Sequence, residues 1–424
     1  MKKVYLLILL GVATSFLNLS YSQDQKEGKS FGIAFSGFVK NDVFFDSRQT
    51  VSARLGHFLM YPQPIALDRD GIDINDRSNL NILAIQSRLT GKITGPDAFG
   101  ARTSGVLEGA FFGHSNGDIN GYRLRHAYVK LNWEKTELLA GQFWHPMFVT
   151  STFPGTISFN TGVPFQPFSR NPQVRLTRQV GKFKLMAAIL EQVDFSSPGG
   201  AETLRNSHIP DMQLQLHYEH KDAKSELITG IGAGYKILNP RLVTDSSYAA
   251  NEKVKSLSLL SFIKYKTKPF TLKGEVSWGQ NMFDLLMLGG YASSLNLSDA
   301  QLQRGIKGYE TMDVVSFWTD LHTNNQKFQL GLFSGYTENL GAKAAINNLD
   351  LYMRGNDVKY IYRISPRAIW RSGKTQFALE LEHTTAAYTK KDHSGKPLID
   401  DYGRITATEE VANFRALLAV FYFF

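Results

Sequence analysis

The chain has 424 residues, of which 47 are Lys or Arg and 38 are Asp or Glu, a formal charge of +9. At 43% hydrophobic residues it is not a disordered polymer, and its length admits one large β domain or two or three ordinary ones. It contains no cysteine, which excludes a disulfide framework, a thiolate metal site, a cysteine nucleophile and a lipid-modified amino-terminal cysteine.

The first segment reads as an export signal. Lys2 and Lys3 form a basic start, 4–12 is a short apolar stretch, and Ser20 and Ser22 are the small residues before a cut at Gln23. The expected division is a signal peptide at 1–22, a short polar periplasmic segment at 23–30, and one β domain at 31–424. The apolar stretch of the signal is too short to cross a bilayer as a helix. Beyond it, no apolar run approaches the roughly 18 residues of a transmembrane helix. The longest run is 416–424. Two destinations follow: a soluble exported protein, or a β-barrel in an outer membrane.

Period-2 alternation recurs along the chain in place of helical periodicity. Met212, Leu214, Leu216 and Tyr218 face one way and Gln213, Gln215, His217 and Glu219 the other. Phe270, Leu272, Val276 and Trp278 oppose Thr271, Lys273, Glu275 and Ser277 in the same manner. Such segments are strands with one apolar and one wet face. They are expected at 31–45, 78–93, 102–112, 122–133, 137–145, 172–180, 182–193, 210–220, 225–237, 254–267, 269–280, 310–322, 326–336, 356–369, 374–388 and 409–424. Most are longer than soluble strands and suit a tilted bilayer crossing. Short turns follow the even-numbered strands and long loops the odd-numbered ones, the asymmetry of an outer-membrane barrel. A sheet of this size must close, because unpaired edges do not survive in hydrocarbon. The predicted fold is therefore an all-β, 16-stranded antiparallel transmembrane barrel. A soluble sandwich is the remote rival.

The last strand carries the sharpest signal. Phe414, Ala416, Leu418, Val420, Tyr422 and Phe424 face one way, Asn413 and Arg415 the other. The aromatic end suits the girdle at a membrane interface, and a terminal Phe resembles the signal read by the barrel assembly machinery.

Four segments stand out as motifs: Gly37-Phe38-Val39-Lys40-Asn41-Asp42-Val43, Ser87-Arg88-Leu89, Leu124-Arg125-His126-Ala127-Tyr128-Val129 and Leu139-Ala140-Gly141-Gln142-Phe143-Trp144. In these the chain resembles trimeric outer-membrane porins, in particular the DcaP-like branch. The resemblance is recognisable over the first half and is one of pattern in the second. It implies a 16-stranded barrel, a homotrimer and passive uptake of small hydrophilic, often anionic, solutes. The long first loop departs from a minimal porin.

Sixteen strands enclose an aqueous channel, so function lies in what narrows the lumen and what charge lines it. The loop at 146–171 is the expected constriction. Porins of this type fold the corresponding loop inward, and its Phe148, Phe153, Phe159, Phe165 and Phe168, with Pro154, Pro164 and Pro167, suit a loop packed on protein. The alternative is a loop lying on the barrel rim or on a neighbouring subunit. Alternation puts Arg88, Lys92, Lys130, Arg175, Lys359, Arg363 and Arg415 on the wet face. Arg123 and Arg125 fall on the apolar face of a regular fourth strand, unless a bulge or the rim turns them inward. Glu108, Glu219, Glu275, Glu380 and Glu382 are the acidic wet-face residues. A basic ladder beside an acidic wall sets up a transverse field, and the basic excess predicts preference for small anions such as carboxylates. The alternative for each charge is simple pairing with a neighbour.

Other signals are weaker. His217 and His220 have metal-like spacing but point to opposite faces of a strand. Asp68, Asp70, Asp73 and Asp76 form an acidic loop whose Gly71 is too early for a calcium-binding hand. Gly230, Gly232 and Gly234 lie within a strand, so they leave one face small and make no nucleotide-binding turn. No cofactor or metal is expected. The expected partners are small anionic solutes, outer-membrane lipid and lipopolysaccharide; export separates the chain from nucleic acid. The leading expectation is a bacterial outer-membrane porin without enzymatic activity. Its rivals are a barrel enzyme of phospholipase or protease type, for which no GxSxG elbow is present, and a plugged structural or adhesive barrel.

Overall fold

The structure, a computed structural model, describes residues 31–113 and 115–424. The expected signal peptide and the polar segment after it lie outside the described residues. Sixteen antiparallel strands form one sheet: β1 (Gly32–Asp46), β2 (Asn79–Leu83 and Arg88–Thr94), β3 (Arg102–Phe111), β4 (Tyr122–Asn132), β5 (Thr136–Trp144), β6 (Arg170–Val180), β7 (Phe183–Leu190), β8 (Asp211–Lys221), β9 (Ser225–Leu238), β10 (Val254–Thr267), β11 (Phe270–Gln280), β12 (Asp313–Thr323), β13 (Phe328–Gly341), β14 (Val358–Ser372), β15 (Thr375–Thr389) and β16 (Thr408–Phe423). Each strand pairs with its neighbours in sequence. β16 returns to β1 in a register running from Phe38↔Phe423 to Asp46↔Arg415, which closes the barrel.

The barrel is inside out relative to a soluble sandwich. On β8, Leu214 is 59% exposed on the outer surface, while Gln213 and Gln215 are buried at 6% and 2%. The same holds at the closing strand, where Phe414 and Leu418 face out and Asn413 and Arg415 are buried. Each outward Leu or Phe left in water forgoes about 1.5–3 kcal/mol, which hydrocarbon restores. This pattern fits a lipid-facing exterior.

Two strands differ from the expectation. β2 breaks at 84–87, where the Ser87 hydroxyl accepts from the Lys40 amide at 3.0 Å and donates to the Ala84 carbonyl at 2.9 Å, replacing the missing ladder bond. The expected strand at 310–322 divides: Tyr309–Thr311 leaves the barrel and joins Gly289–Ser294 and Ile346–Arg354 in a three-stranded sheet, and β12 starts at Asp313. That small sheet is held by Tyr291 stacked on Tyr352 at 5.1 Å.

Three segments of the long loops enter the lumen. A hairpin of the first loop (Thr50–Ala53 with Phe58–Pro62), the loop 145–169 and the turn Phe283–Leu285 fold inward. Phe58, Phe159, Phe165, Phe168 and Leu288 join inward Trp318, Phe333 and Ile361 of the wall in one apolar core.

Candidate functional site

The loop 145–169 is inward, as expected, and inward-facing wall residues hold its backbone. Glu380 accepts from the amides of Ile157 and of Ser158 (3.1 Å), and Asp320 accepts from the amide of Gly155 (3.2 Å). Lys40 Nζ donates to the Ile157 carbonyl at 2.9 Å, Arg363 to Val163 at 2.9 Å and Ser316 to Phe165 at 2.9 Å. A loop of this length has many backbone groups to satisfy away from water. The charged wall satisfies several of them, and this is the work of the buried Glu380 and Asp320 carboxylates.

This docking removes some expected pore residues from the lumen surface. Arg363 is 1% exposed, with Thr384 Oγ1 and the carbonyls of Val163, Leu59 and Met60 as acceptors and Glu382 at 3.6 Å. Arg415, also 1% exposed, makes a two-point contact with Asp46 at 2.8 and 2.6 Å. Lys359 is the extra residue of a bulge opposite Tyr388 and Ala387, and Val358 packs into the apolar core there.

The other expected residues gather on the β2–β6 wall. The register of β3 and β4 slips between Glu108↔His126 and Gly109↔Leu124, making Arg125 the extra residue of a bulge. Arg123 and Arg125 are thereby both buried inward, at 4% and 3% exposure. Arg125 donates to Glu108 at 2.7 Å, and Arg88 lies 3.6 Å from the same carboxylate. Cations and rings then alternate down the wall. The Arg125 guanidinium lies 5.6 Å from the ring of Phe112 and 5.8 Å from that of Trp144. Arg175 donates to the Trp144 carbonyl at 2.6 Å and sits 5.2 Å over Phe143, with Lys130 6.0 Å over the same ring.

This track ends in a cavity of about 500 Å³ bordered by the turn 133–135 and lined by Pro146 and Phe148 of the inward loop. Among its charges, Lys130 pairs with Glu137 at 2.9 Å and Lys184 with Glu219 at 2.6 Å. Arg175 has no carboxylate within ion-pair distance among the described residues; it uses Gln173 and a carbonyl instead.

Sequence reasoning missed Arg54, Arg170, Asp194, Asp320 and Arg367. Arg54, Arg170 and Asp194 fell in segments read as loops, where no periodicity assigns a direction. Arg367 continues the inward series of Arg363 and Ser365, and extending the alternation by one step finds it; it makes a two-point contact with Asp320 at 2.7 and 3.0 Å.

The weaker signals resolve as structure. Asp68 accepts from the amides of Asp70 and Ile72, and Asp73 from Ala66, Asn75 and Arg48, so these carboxylates build turns. Partial desolvation works to raise the Asp73 pKa, but its amide and guanidinium donors hold it below the usual value. No group of three His, Asp or Glu residues able to hold a metal ion occurs among the described residues. His217 points inward against Phe262, and His220 meets Lys182. A Cβ on Gly234 would lie 2.3 Å from the Gln213 side chain, so the small face makes room for inward polar groups.

A closed 16-stranded barrel with the loop 145–169 turned inward and a charged lumen has the fold of a porin-type barrel. No known family profile and no curated protein matches the chain. Among solved structures, it superposes on the outer membrane channel DcaP of Acinetobacter baumannii with a TM-score of 0.66, at 13% identity, over 96% of this chain and 100% of that one. OmpT of Vibrio cholerae, an outer membrane protein solved also in a trimer form, superposes at 0.53 over 95% of this chain and 0.54 over 93%, with 9% identity and all of that chain covered in each case. At these identities the likeness is one of fold.

Proposed function

We propose that this protein is an outer-membrane porin that admits small hydrophilic solutes and favours anions, small carboxylates among them, without catalysing a reaction. The observation that carries the reading is the cation-and-ring track on the β2–β6 wall, which leads to a cavity where Arg175, unlike Lys130 and Lys184, lacks a carboxylate partner among the described residues. A guanidinium in a narrowed lumen lends an anion the hydrogen bonds that it loses with its water. The paired charges around it shape the field and contribute little net attraction. The proposed assembly is a homotrimer in contact with lipid and lipopolysaccharide, in line with the neighbour solved as a trimer.

Zero-current potentials in a salt gradient test the reading. Wild-type protein in a planar bilayer is expected to pass chloride in preference to potassium. Arg175→Gln is expected to move the potential several millivolts toward cation preference, and an unmoved potential refutes Arg175 as the selective charge. A second reading, a barrel closed by its own plug, draws on the apolar core in the lumen. It predicts no single-channel steps at all. Hydrolysis of phospholipid or peptide by the purified protein would favour the barrel-enzyme reading instead.

A further inference from the structure

The outer end of the track holds more positive charge than its surroundings neutralise. Arg54 from the first loop, Arg123 and Arg125 of β4 and Arg170 of β6 are each at most 6% exposed. The guanidinium carbons of Arg54, Arg123 and Arg125 lie 4.9, 5.7 and 5.6 Å from the centre of one ring, Phe112. Arg125 and Arg170 flank the Trp144 ring at 5.8 and 4.9 Å. Arg123 and Arg170 share the carboxylate of Asp194, while Arg88 and Arg125 share that of Glu108. Arg54 has no carboxylate within ion-pair distance among the described residues. Five guanidinium groups therefore meet two carboxylates.

Hydrogen bonding shows the same shortfall. Arg54 Nε and one terminal nitrogen each of Arg123, Arg125 and Arg170 are buried without an acceptor among the described residues. Unpaired buried charges and donors cost free energy unless something satisfies them. Arg54 is moreover presented by a left-handed turn, with φ of 58°, 54° and 81° at Arg54, Leu55 and Gly56. A non-glycine backbone in that region is strained and persists where its surroundings impose it.

We propose that this arginine cluster binds a phosphate-class oxyanion, either free phosphate or the phosphoryl group of a small solute. The excess calls for more than one negative charge. Four orphan donors on four side chains call for three or more acceptor oxygens. Gathering around two rings calls for a compact ligand. A carboxylate supplies one charge and two oxygens, and a diacid spreads its two charges over separate ends. A phosphoryl group carries about two charges and three strong acceptor oxygens on one centre. The proposal deepens the anion-channel reading and rests on it for the ligand's role as a solute in transit.

The test combines calorimetry on the detergent-solubilised protein with bilayer recording. Inorganic phosphate, glycerol 3-phosphate, acetate and succinate are titrated at low salt. Saturable binding is expected for both phosphates, and succinate and acetate are expected to bind at least about tenfold more weakly. Arg54→Gln, a loop change whose folding is checked by heat-modifiable gel migration, is expected to weaken phosphate about tenfold or more, the loss of one charge-assisted hydrogen bond. Arg54→Lys is expected to fall between. Absence of saturable phosphate binding, succinate binding as tightly, or an unaffected Arg54→Gln variant overturns the proposal. Conductance without phosphate binding overturns this site and leaves the channel reading standing; phosphate binding by a non-conducting barrel supports the site and overturns the channel.

Discussion

Arg175 and Arg415 are both inward guanidiniums on barrel strands, yet their surroundings assign them different work. Arg415 is clamped by Asp46, by the Gly56 carbonyl at 2.8 Å and by the Phe44 ring at 4.4 Å. Removing it strands Asp46 in a buried place with only the Asn413 side chain as donor among the described residues. Arg415→Ala is expected to cost about 3–5 kcal/mol, read as a lower urea midpoint for unfolding from micelles. Arg415→Lys restores the charge without the fork and is expected to recover part of the loss. Arg175→Gln is expected to leave that midpoint nearly unchanged and to act on selectivity alone. Alternation predicts inwardness for both residues, and it is silent on which of them already has a partner. Partnering depends on residues hundreds of positions away in the chain, as Asp46 is from Arg415.

At the scale of elements, the inward loop and the interrupted strand show where local pattern stops carrying information. Five phenylalanines with Pro154, Pro164 and Pro167 suffice to predict a loop packed on protein. The donors and acceptors that hold it are supplied by β1, β12, β14 and β15, far away in sequence. Glu380 is the strongest of these links, taking two loop amides and the Ser365 hydroxyl at 2.6 Å. Glu380→Ala is expected to raise amide hydrogen exchange at 155–160 by about tenfold or more, because each orphaned amide loses a charge-assisted bond. Exchange in the β6–β10 ladders is expected to stay unchanged. The bulge at Arg125 makes the same point. One extra residue in β4 reverses the facing of Arg123 and Arg125, which a regular strand sends into lipid.

For the whole molecule, closure is the decisive event. The seam of β1 with β16 runs beside Gly37, whose N–H and C=O exchange bonds with Phe424 at 3.3 and 3.2 Å. An ideal Cβ there would stand 2.1 Å from the Arg88 carbonyl oxygen and 2.8 Å from the Phe424 ring. Gly37→Val is therefore expected to block closure. The readout is loss of the compact, heat-modifiable species on gels and more protease-sensitive protein after refolding into micelles. Gly181→Ala is the control: that turn has open space around the added carbon, and although its φ of 60° adds some strain, the barrel is expected to form.

The number of strands, their outward faces, the alternation of short turns with long loops and the aromatic closing strand were all legible in the sequence. A period of two residues is a local property that any strand at a lipid–water boundary must obey. The tertiary structure alone decided which loops enter the lumen, which of the inward charges cancel and which stand unmatched. Arg54 and Arg170 join Arg123 and Arg125 only because the first loop and two strands converge in a closed barrel. Charge balance in a buried cluster is a sum over neighbours in space, and no periodicity along the chain encodes that sum.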